Sequence, residues 1–196
     1  MGILNKKEIK NDIFSIPCDY DGYDLVFLSG ITNPKLFKEF NAIITNNKLD
    51  ISQLNEYKKL QIDSDKELFM DFYSCWINEL KKGKYISHLD KYNGIENFAK
   101  EINQILSNFD SSKTIDVDNI VKKYKEELMK YTLDGEPINI NFNYDILEAN
   151  IVADELRKIG YELIKLFNGY DNDDTAIVPL NRVEELKLIE RKIKLK

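Results

Sequence analysis

The sequence predicts an α/β (α+β) protein: a small mixed β-sheet packed with helices, helix-rich in its N-terminal two-thirds and ending in a β-α-β-β-α unit. Three observations lead to this class. Apolar residues recur at helical spacing through the first two-thirds, they alternate with polar residues in the last third, and strand and helix patterns then follow each other in order. The 196 residues contain no linker-like stretch, so we expect a single globular domain over 1–196.

Two helices are predicted in the first half of the chain. Asn33 is followed by a proline at the first helical position, and apolar residues then recur at helical spacing over 34–45. Ser64 and Glu67 form a capping box before a second apolar face that contains the single tryptophan. Two lysines and Gly83 are typical of the end of this helix.

Two further helices follow. Asn93 and Glu96 are spaced as a cap and its box partner, and apolar residues keep helical spacing over 95–109. After Asp116 the same spacing continues over 117–131. Both patterns predict helices with one face against a core.

The pattern changes to alternation at 138–144, where apolar residues alternate with asparagines as in a strand with one buried face. Asp145 and Glu148 form a capping box that opens a helix ending at Gly160. A strand is predicted at 161–167. The helix between the two strands is long enough for a right-handed crossover that leaves them parallel.

The last elements complete the unit. A polar turn separates the strand at 161–167 from another at 175–180, which predicts an antiparallel pair. Asn181 and Glu184 then cap a last helix. Near the other end of the chain, the short apolar run 25–28 is a further candidate strand of the same sheet.

The charge balance excludes some function classes. Asp and Glu number 34 against 28 Lys and Arg, a formal net charge of −6, which argues against binding the phosphate backbone of nucleic acid. No apolar stretch approaches the roughly 20 residues that span a bilayer, so no membrane partner is expected. Cys18 and Cys75 form no metal-binding or disulfide pattern, as is usual in a reducing compartment. We therefore expect a cytoplasmic protein.

Acidic residues are concentrated in three windows that contain no Lys or Arg. Residues 11–34 hold four acids, 131–156 hold six and 167–181 hold three. Each window adjoins a predicted strand. We therefore expect these acids to meet at the margins of the sheet.

Two acidic loops within these windows also carry tyrosines, which are enriched at protein interfaces. A focused negative field speeds association with a positively charged partner. We interpret the protein as a protein-binding module for a basic protein, and the specific hypothesis is an immunity- or inhibitor-type protein that neutralises a basic toxin. The predicted partner-binding residues are Asp19, Tyr20, Asp21, Tyr23, Asp24, Tyr170, Asp171, Asp173 and Asp174.

Two alternatives stay open. The loops at 19–24 and 171–174 offer oxygen ligands for a metal- or carboxylate-dependent enzyme, although neither loop fits an EF-hand. The second alternative is a structural subunit of a larger assembly. No catalytic motif is present, a Cys75–His88 pair is the least favoured idea, and we predict no catalytic residue, resident metal or cofactor. The oligomeric state is left open.

Overall fold

A β-sheet lies between two layers of helices in the computed structural model of the protein. The structure describes residues 14–15, 34–51, 76–89, 94–133, 136–137, 142–167 and 173–194. The helices are α1 (Pro34–Ile44), α2 (76–82 in its described part), α3 (Gly94–Phe109), α4 (Val117–Leu128), α5 (Tyr144–Lys158) and α6 (Val183–Lys194). The strands are β1 (Phe14–Ser15), β2 (Ile86–Leu89), β3 (Thr132–Leu133), β4 (Glu136–Pro137), β5 (Tyr161–Phe167) and β6 (Asp173–Pro179). The predicted α+β class is confirmed.

The main sheet has four strands in the order β1, β5, β6, β2. β5 and β6 form an antiparallel hairpin that pairs Tyr161 with Pro179 at one end and Phe167 with Asp173 at the other. β2 is antiparallel to β6, and β1 is parallel to β5. β1, β2 and β5 therefore run in the same direction. β3 and β4 form a separate two-stranded sheet.

Both faces of the β5–β6 hairpin are buried. Side chains of α1, α2 and α6 cover one face, and we call this side the first core. Side chains of α3, α4 and α5 cover the other face, which we call the second core. Neighbouring residues of β5 alternate between them, so that Leu163 lies in the second core and Ile164 in the first. This double burial explains why adjacent residues are apolar at 163–164 in β5 and at 176–178 in β6.

Most elements with a clear period are confirmed. α1, α3, α4 and α6 lie where helical spacing predicts them, and β5 and β6 form the predicted antiparallel pair. Asp116 caps α4, because its side chain accepts a hydrogen bond from the backbone N–H of Asn119 at 3.0 Å. Four other predicted features lie outside the described residues: the caps at Asn33 and Asn93, the box at Ser64 and Glu67, and the strand at 25–28.

The predicted strand at 138–144 is wrong at its C-terminal end. Its first four residues lie outside the described part of the chain, Phe142 and Asn143 belong to no strand, and Tyr144 already opens α5. The Phe142 ring packs against the rings of Tyr144 and Tyr131, with centroids 4.7 and 5.4 Å apart. Phe142 is apolar because its ring packs in an aromatic cluster, and not because it belongs to a strand. In the described sheet the parallel neighbour of β5 is β1.

Three helix ends differ from the predicted caps. Asn181 does not cap α6, because it lies inside a 3₁₀ turn at Leu180–Arg182 and α6 begins at Val183. α5 is capped by Asn143, whose side-chain oxygen accepts the backbone N–H three residues on at 3.1 Å, and not by Asp145. At the end of α2, Lys84 and not Gly83 adopts a left-handed conformation, with φ of 55°. Gly83 is required for a different reason, because a Cβ there would lie 2.3 Å from Cε2 of the Tyr85 ring.

A buried hydrogen bond connects α1 to α2. Trp76 donates from Nε1 to Oδ1 of Asn41 at 2.8 Å, and Nδ2 of Asn41 donates to the carbonyl of Leu49 at 3.2 Å. The rings of Phe37 and Phe40 pack against the Trp76 ring, with centroids 5.3 and 6.0 Å away. Asn41 and Trp76 are both buried, so each polar group satisfies the other in a place that water does not reach.

Replacing Asn41 by leucine is expected to lower the free energy of unfolding by about 1–3 kcal/mol, because a buried indole N–H loses its acceptor. Urea denaturation followed by circular dichroism measures the loss. The control is Trp76→Phe in the same background: once the indole N–H is gone, Asn41→Leu should cost less than it does alone. Strictly additive losses in the double variant would contradict this account.

Candidate functional site

Three strands of the main sheet end at the same place. Leu89 of β2 is paired with Asp173 of β6, which is also paired with Phe167 of β5. Ser15 of β1 is paired with Lys165, two residues before the end of β5. The last residues of β1, β2 and β5 and the first residue of β6 therefore lie together, and we call this region the carboxyl end of the sheet. The chain leaves β1 toward the first acidic loop here, and it connects β5 to β6 through the second.

Most of the predicted partner-binding residues lie outside the described residues. These are Asp19, Tyr20, Asp21, Tyr23, Asp24, Tyr170 and Asp171. The backbone of Asp173 is described, and it opens β6 at the carboxyl end of the sheet. A role of these residues in partner binding stays a prediction.

Asp174 is also one of the predicted residues, and it is buried. Its side chain is 2% exposed, and its Oδ1 lies 3.7 Å from the ammonium nitrogen of Lys81 on α2. The register pairs Asp174 with His88 of β2. A carboxylate withdrawn from water needs such a cation nearby, and it offers little charge to an approaching protein. A docking surface at this end of the sheet therefore depends on the other acids of the loop.

The window 131–156 has no basic residue in sequence, but cations lie next to it in space. Glu155 of α5 accepts hydrogen bonds from Lys123 of α4 and from Lys158, the latter at 2.7 Å. Burial raises the pKa of this carboxyl, but the two ammonium groups outweigh burial and hold the pKa of Glu155 below its ordinary value. Lys123 and Lys158 thus neutralise the charge of Glu155, which therefore adds nothing to an acidic docking surface.

Arg157 neutralises two more acids. Its Nε and Nη2 donate to the two carboxylate oxygens of Glu162 on β5, both at 2.9 Å, and its Nη1 donates to Asp154 at 3.0 Å. The bidentate pair with Glu162 connects the end of α5 to the start of β5. This arginine is therefore used to hold the fold together.

Glu148 of α5 is a carboxylic acid enclosed by helices and is 3% exposed. Tyr124 on α4 and the backbone of Ile95 on α3 lie near the carboxyl and lower its pKa, but by less than burial raises it. Its Oε2 has no hydrogen-bond partner among the described residues. Burial and then the nearby Asp145 carboxylate raise the pKa of Glu148 to about 7. Burial in the same cluster raises the pKa of Tyr124 to about 12.

The burial of Glu148 makes it a determinant of stability and not a residue that meets a substrate. The sequence pattern predicts that Glu148 belongs to a helix cap, and its burial was not predicted. A signal was present, because α5 is apolar on most of its sides between 147 and 156, as is typical of a helix enclosed by others.

A groove of about 490 Å³ lies beside β2. Residues at the end of α2 and on the turn after it, in β2 and on α3 line the groove, and no residue of β6 is among them. The residues that line it are Lys81, Lys84, Ile86, Ser87, Glu101, Gln104 and Ile105. The sequence pattern does not predict this groove, because its two sides lie on helices that are separate in sequence.

No protein-family model matches the chain, and comparison with curated proteins and with solved structures gives no match. Within the described ranges, no group of three or more His, Cys, Asp and Glu side chains is placed to hold a metal ion. None of the helices described is both long enough and apolar enough to cross a membrane.

The remaining ideas from the sequence fall largely on parts of the chain that are not described. The loop at 19–24 and residues 171–172 of the metal alternative lie outside the described residues, as does Cys75. His88 is described only as a backbone position in β2. For the assembly alternative, the large apolar side chains exposed on described elements are Met129, Leu180 and Leu188.

Ionisation of Glu148 is expected to make the protein less stable as pH rises. Between the ordinary pKa of 4.5 and the folded value of about 7, the native protein holds a proton that the unfolded chain has lost. The free energy of unfolding therefore falls across this range, by up to about 3 kcal/mol, and stays lower above it. We expect Glu148→Gln, which is neutral at every pH, to gain stability over the natural protein as pH rises from about 5 to 8 in urea denaturation.

The matched control is Asp154→Asn, which removes a charge from an exposed position of the same helix. Its stability should follow the natural protein at each pH to within a few tenths of a kcal/mol. Parallel pH curves for Glu148→Gln and the natural protein would contradict the assignment.

Proposed function

We propose that the protein binds a basic partner protein through the acidic loops next to the carboxyl end of the sheet. The observation that carries this proposal is the strand register: the last residues of β1 and β5 and the first residue of β6 lie together. The two loops that hold the predicted partner-binding residues start from these strand ends. Acids that are far apart in sequence thus belong to segments that leave the sheet at one place.

Chain length supports a common location. Asp19 follows Ser15 by four residues, a distance of at most about 14 Å for an extended chain. Asp171 precedes Asp173 by two residues, so it stays within about 7 Å of the start of β6. Chain length therefore limits how far the first acids of the two loops can lie from these strand ends.

Charge supports the sign of the partner. The windows 11–34 and 167–181 contain seven acids and no Lys or Arg, and the whole chain carries a net charge of −6. Asp174 is paired with Lys81, and Asp154 and Glu155 of α5 have their own cations, which leaves the loop acids as the distinctive charge. Such a local field attracts a positively charged surface and raises the rate of association.

The specific form of the proposal is an inhibitor or immunity-type protein that neutralises a basic toxin. The tyrosines of the loops, Tyr20, Tyr23 and Tyr170, support a protein interface because tyrosine combines a large contact area with a hydroxyl. In this form the acidic loops would cover the cationic surface with which the toxin meets its own target.

A variant in which Asp19, Asp21, Asp24, Asp171 and Asp173 are changed to asparagine tests the proposal. Asp174 is left in place because its removal would leave Lys81 without its buried carboxylate. We expect affinity capture from a cell lysate to recover a basic protein with the natural chain and to lose it with the variant. Binding should also weaken as the salt concentration rises past about 0.15 M.

The control variant neutralises the same number of acids on exposed helix positions. These are Glu96, Asp118, Glu126, Glu184 and Glu185, each changed to its amide. This control should retain the partner, since its net charge equals that of the loop variant and only the location differs. If both variants lose the partner equally, net charge alone explains the binding. If both variants retain the partner equally, the loops are not part of the interface.

A further inference from the structure

β2 is an edge strand of the described sheet. Among the described residues it pairs with β6 on one side, and no described strand pairs with its other side. The hydroxyl of Thr175 on β6 donates to the carbonyl oxygen of Ser87 at 3.1 Å, so this carbonyl faces β6. Because backbone groups alternate along an antiparallel strand, the N–H and C=O groups of Ile86 and His88 face away from β6.

The backbone groups of β2 that face away from β6 lie beside the groove. Lys81 and Lys84 at the end of α2 form one side, and Glu101 and Gln104 on α3 form the other. β2 is four residues long, which corresponds to about 13 Å of strand edge. The edge of β2 within the groove is therefore long enough to pair with a short extended segment of chain.

The sides of the groove are fixed by hydrogen bonds. Nδ2 of Asn108 on α3 donates to the carbonyls of Gly83 at 2.9 Å and of Lys84 at 2.8 Å, which holds the α2–β2 turn against α3. The hydroxyl of Ser87 donates to the carboxylate of Glu101. A groove held this way is largely formed before a ligand arrives, and less conformational entropy is lost on binding.

The charges of the groove favour an acidic occupant. The Lys84 side chain is exposed and forms no ion pair with any described residue, and Lys81 is half exposed above its buried partner Asp174. The single acid of the lining, Glu101, already accepts a hydrogen bond from Ser87. The free positive charge therefore lies at the Lys84 end of the groove.

We propose that the groove along β2 binds an extended acidic segment of a partner protein, which adds to the sheet beside Ile86 and His88 and places a carboxylate against Lys84. Strand addition of this kind takes its affinity from backbone hydrogen bonds and its specificity from alternate side chains. A second copy of the same edge is a poorer occupant, because Ile86–Leu89 carries no acid to meet Lys84. The site differs from the acidic loops in residues and in charge, so it does not depend on the proposal made for them.

The probe is a fluorescein-labelled peptide of eight residues in which valine alternates with threonine and aspartate. We expect saturable binding in fluorescence anisotropy, together with slower amide hydrogen exchange at Ile86 and His88. Lys84→Glu should weaken binding by about fivefold to tenfold because attraction becomes repulsion. A peptide with lysine in place of aspartate should bind Lys84→Glu better than it binds the natural protein.

The matched control is Lys122→Glu, which makes the same charge change on an exposed position of α4 and should leave binding unchanged. Backbone pairing is tested with two N-methylated peptides, modified on alternate residues, of which one should bind and the other should not. Equal weakening by Lys84→Glu and Lys122→Glu, or equal binding of the two methylated peptides, would overturn the proposal.

Three further outcomes would also overturn it. The first is the absence of saturable binding at millimolar peptide. The second is full competition by inorganic phosphate at the peptide's own concentration, which would indicate a small-anion site. The third is a concentration-dependent dimer in analytical ultracentrifugation that excludes the peptide, which would make a second copy of β2 the occupant.

Discussion

Burial of both faces of the β5–β6 hairpin is the constraint on which the rest of the fold depends. A strand pair without a solvated face needs a helical layer on each side, and the two layers here are α1, α2 and α6 against α3, α4 and α5. A polar side chain on such a strand has to find a partner inside the protein. Asp174 has Lys81 of α2, and Thr175 donates to the carbonyl of Ser87 of β2. These contacts connect α2 and β2 to the hairpin.

The same packing decides which acids remain available to a partner. Lys123 of α4 pairs with Glu155, and Arg157 pairs with Asp154 and with Glu162 of β5, so these three acids are paired where helices and sheet meet. Glu148 is enclosed by helices, and burial together with the nearby Asp145 carboxylate raises its pKa to about 7. A run of acids in sequence is therefore a weak guide to surface charge when it falls on a buried helix.

The two proposed binding surfaces differ in the sign of their charge. The strands that adjoin the acidic loops end at the carboxyl end of the sheet, whereas Lys81 and Lys84 lie at the end of α2 and on the turn that follows it. A charged partner would approach these two surfaces in different orientations, because local fields of opposite sign select the orientation as well as the rate of encounter.

The sequence by itself determined the α+β class, the helices with one apolar face, the β5–β6 pair and the Asp116 cap, because these depend on contacts between residues near in sequence. The dipeptide Asp134-Gly135 lies between β3 and β4 in sequence and is typical of tight hairpins. It could have predicted this strand pair. Only the tertiary structure decided that β1 is the parallel neighbour of β5, that Asp174 and Glu148 are buried, and that Lys84 faces Glu101 across a groove. Each of these depends on contacts between distant segments, and an acidic residue shows the same charge in sequence whether water or a helix will cover it.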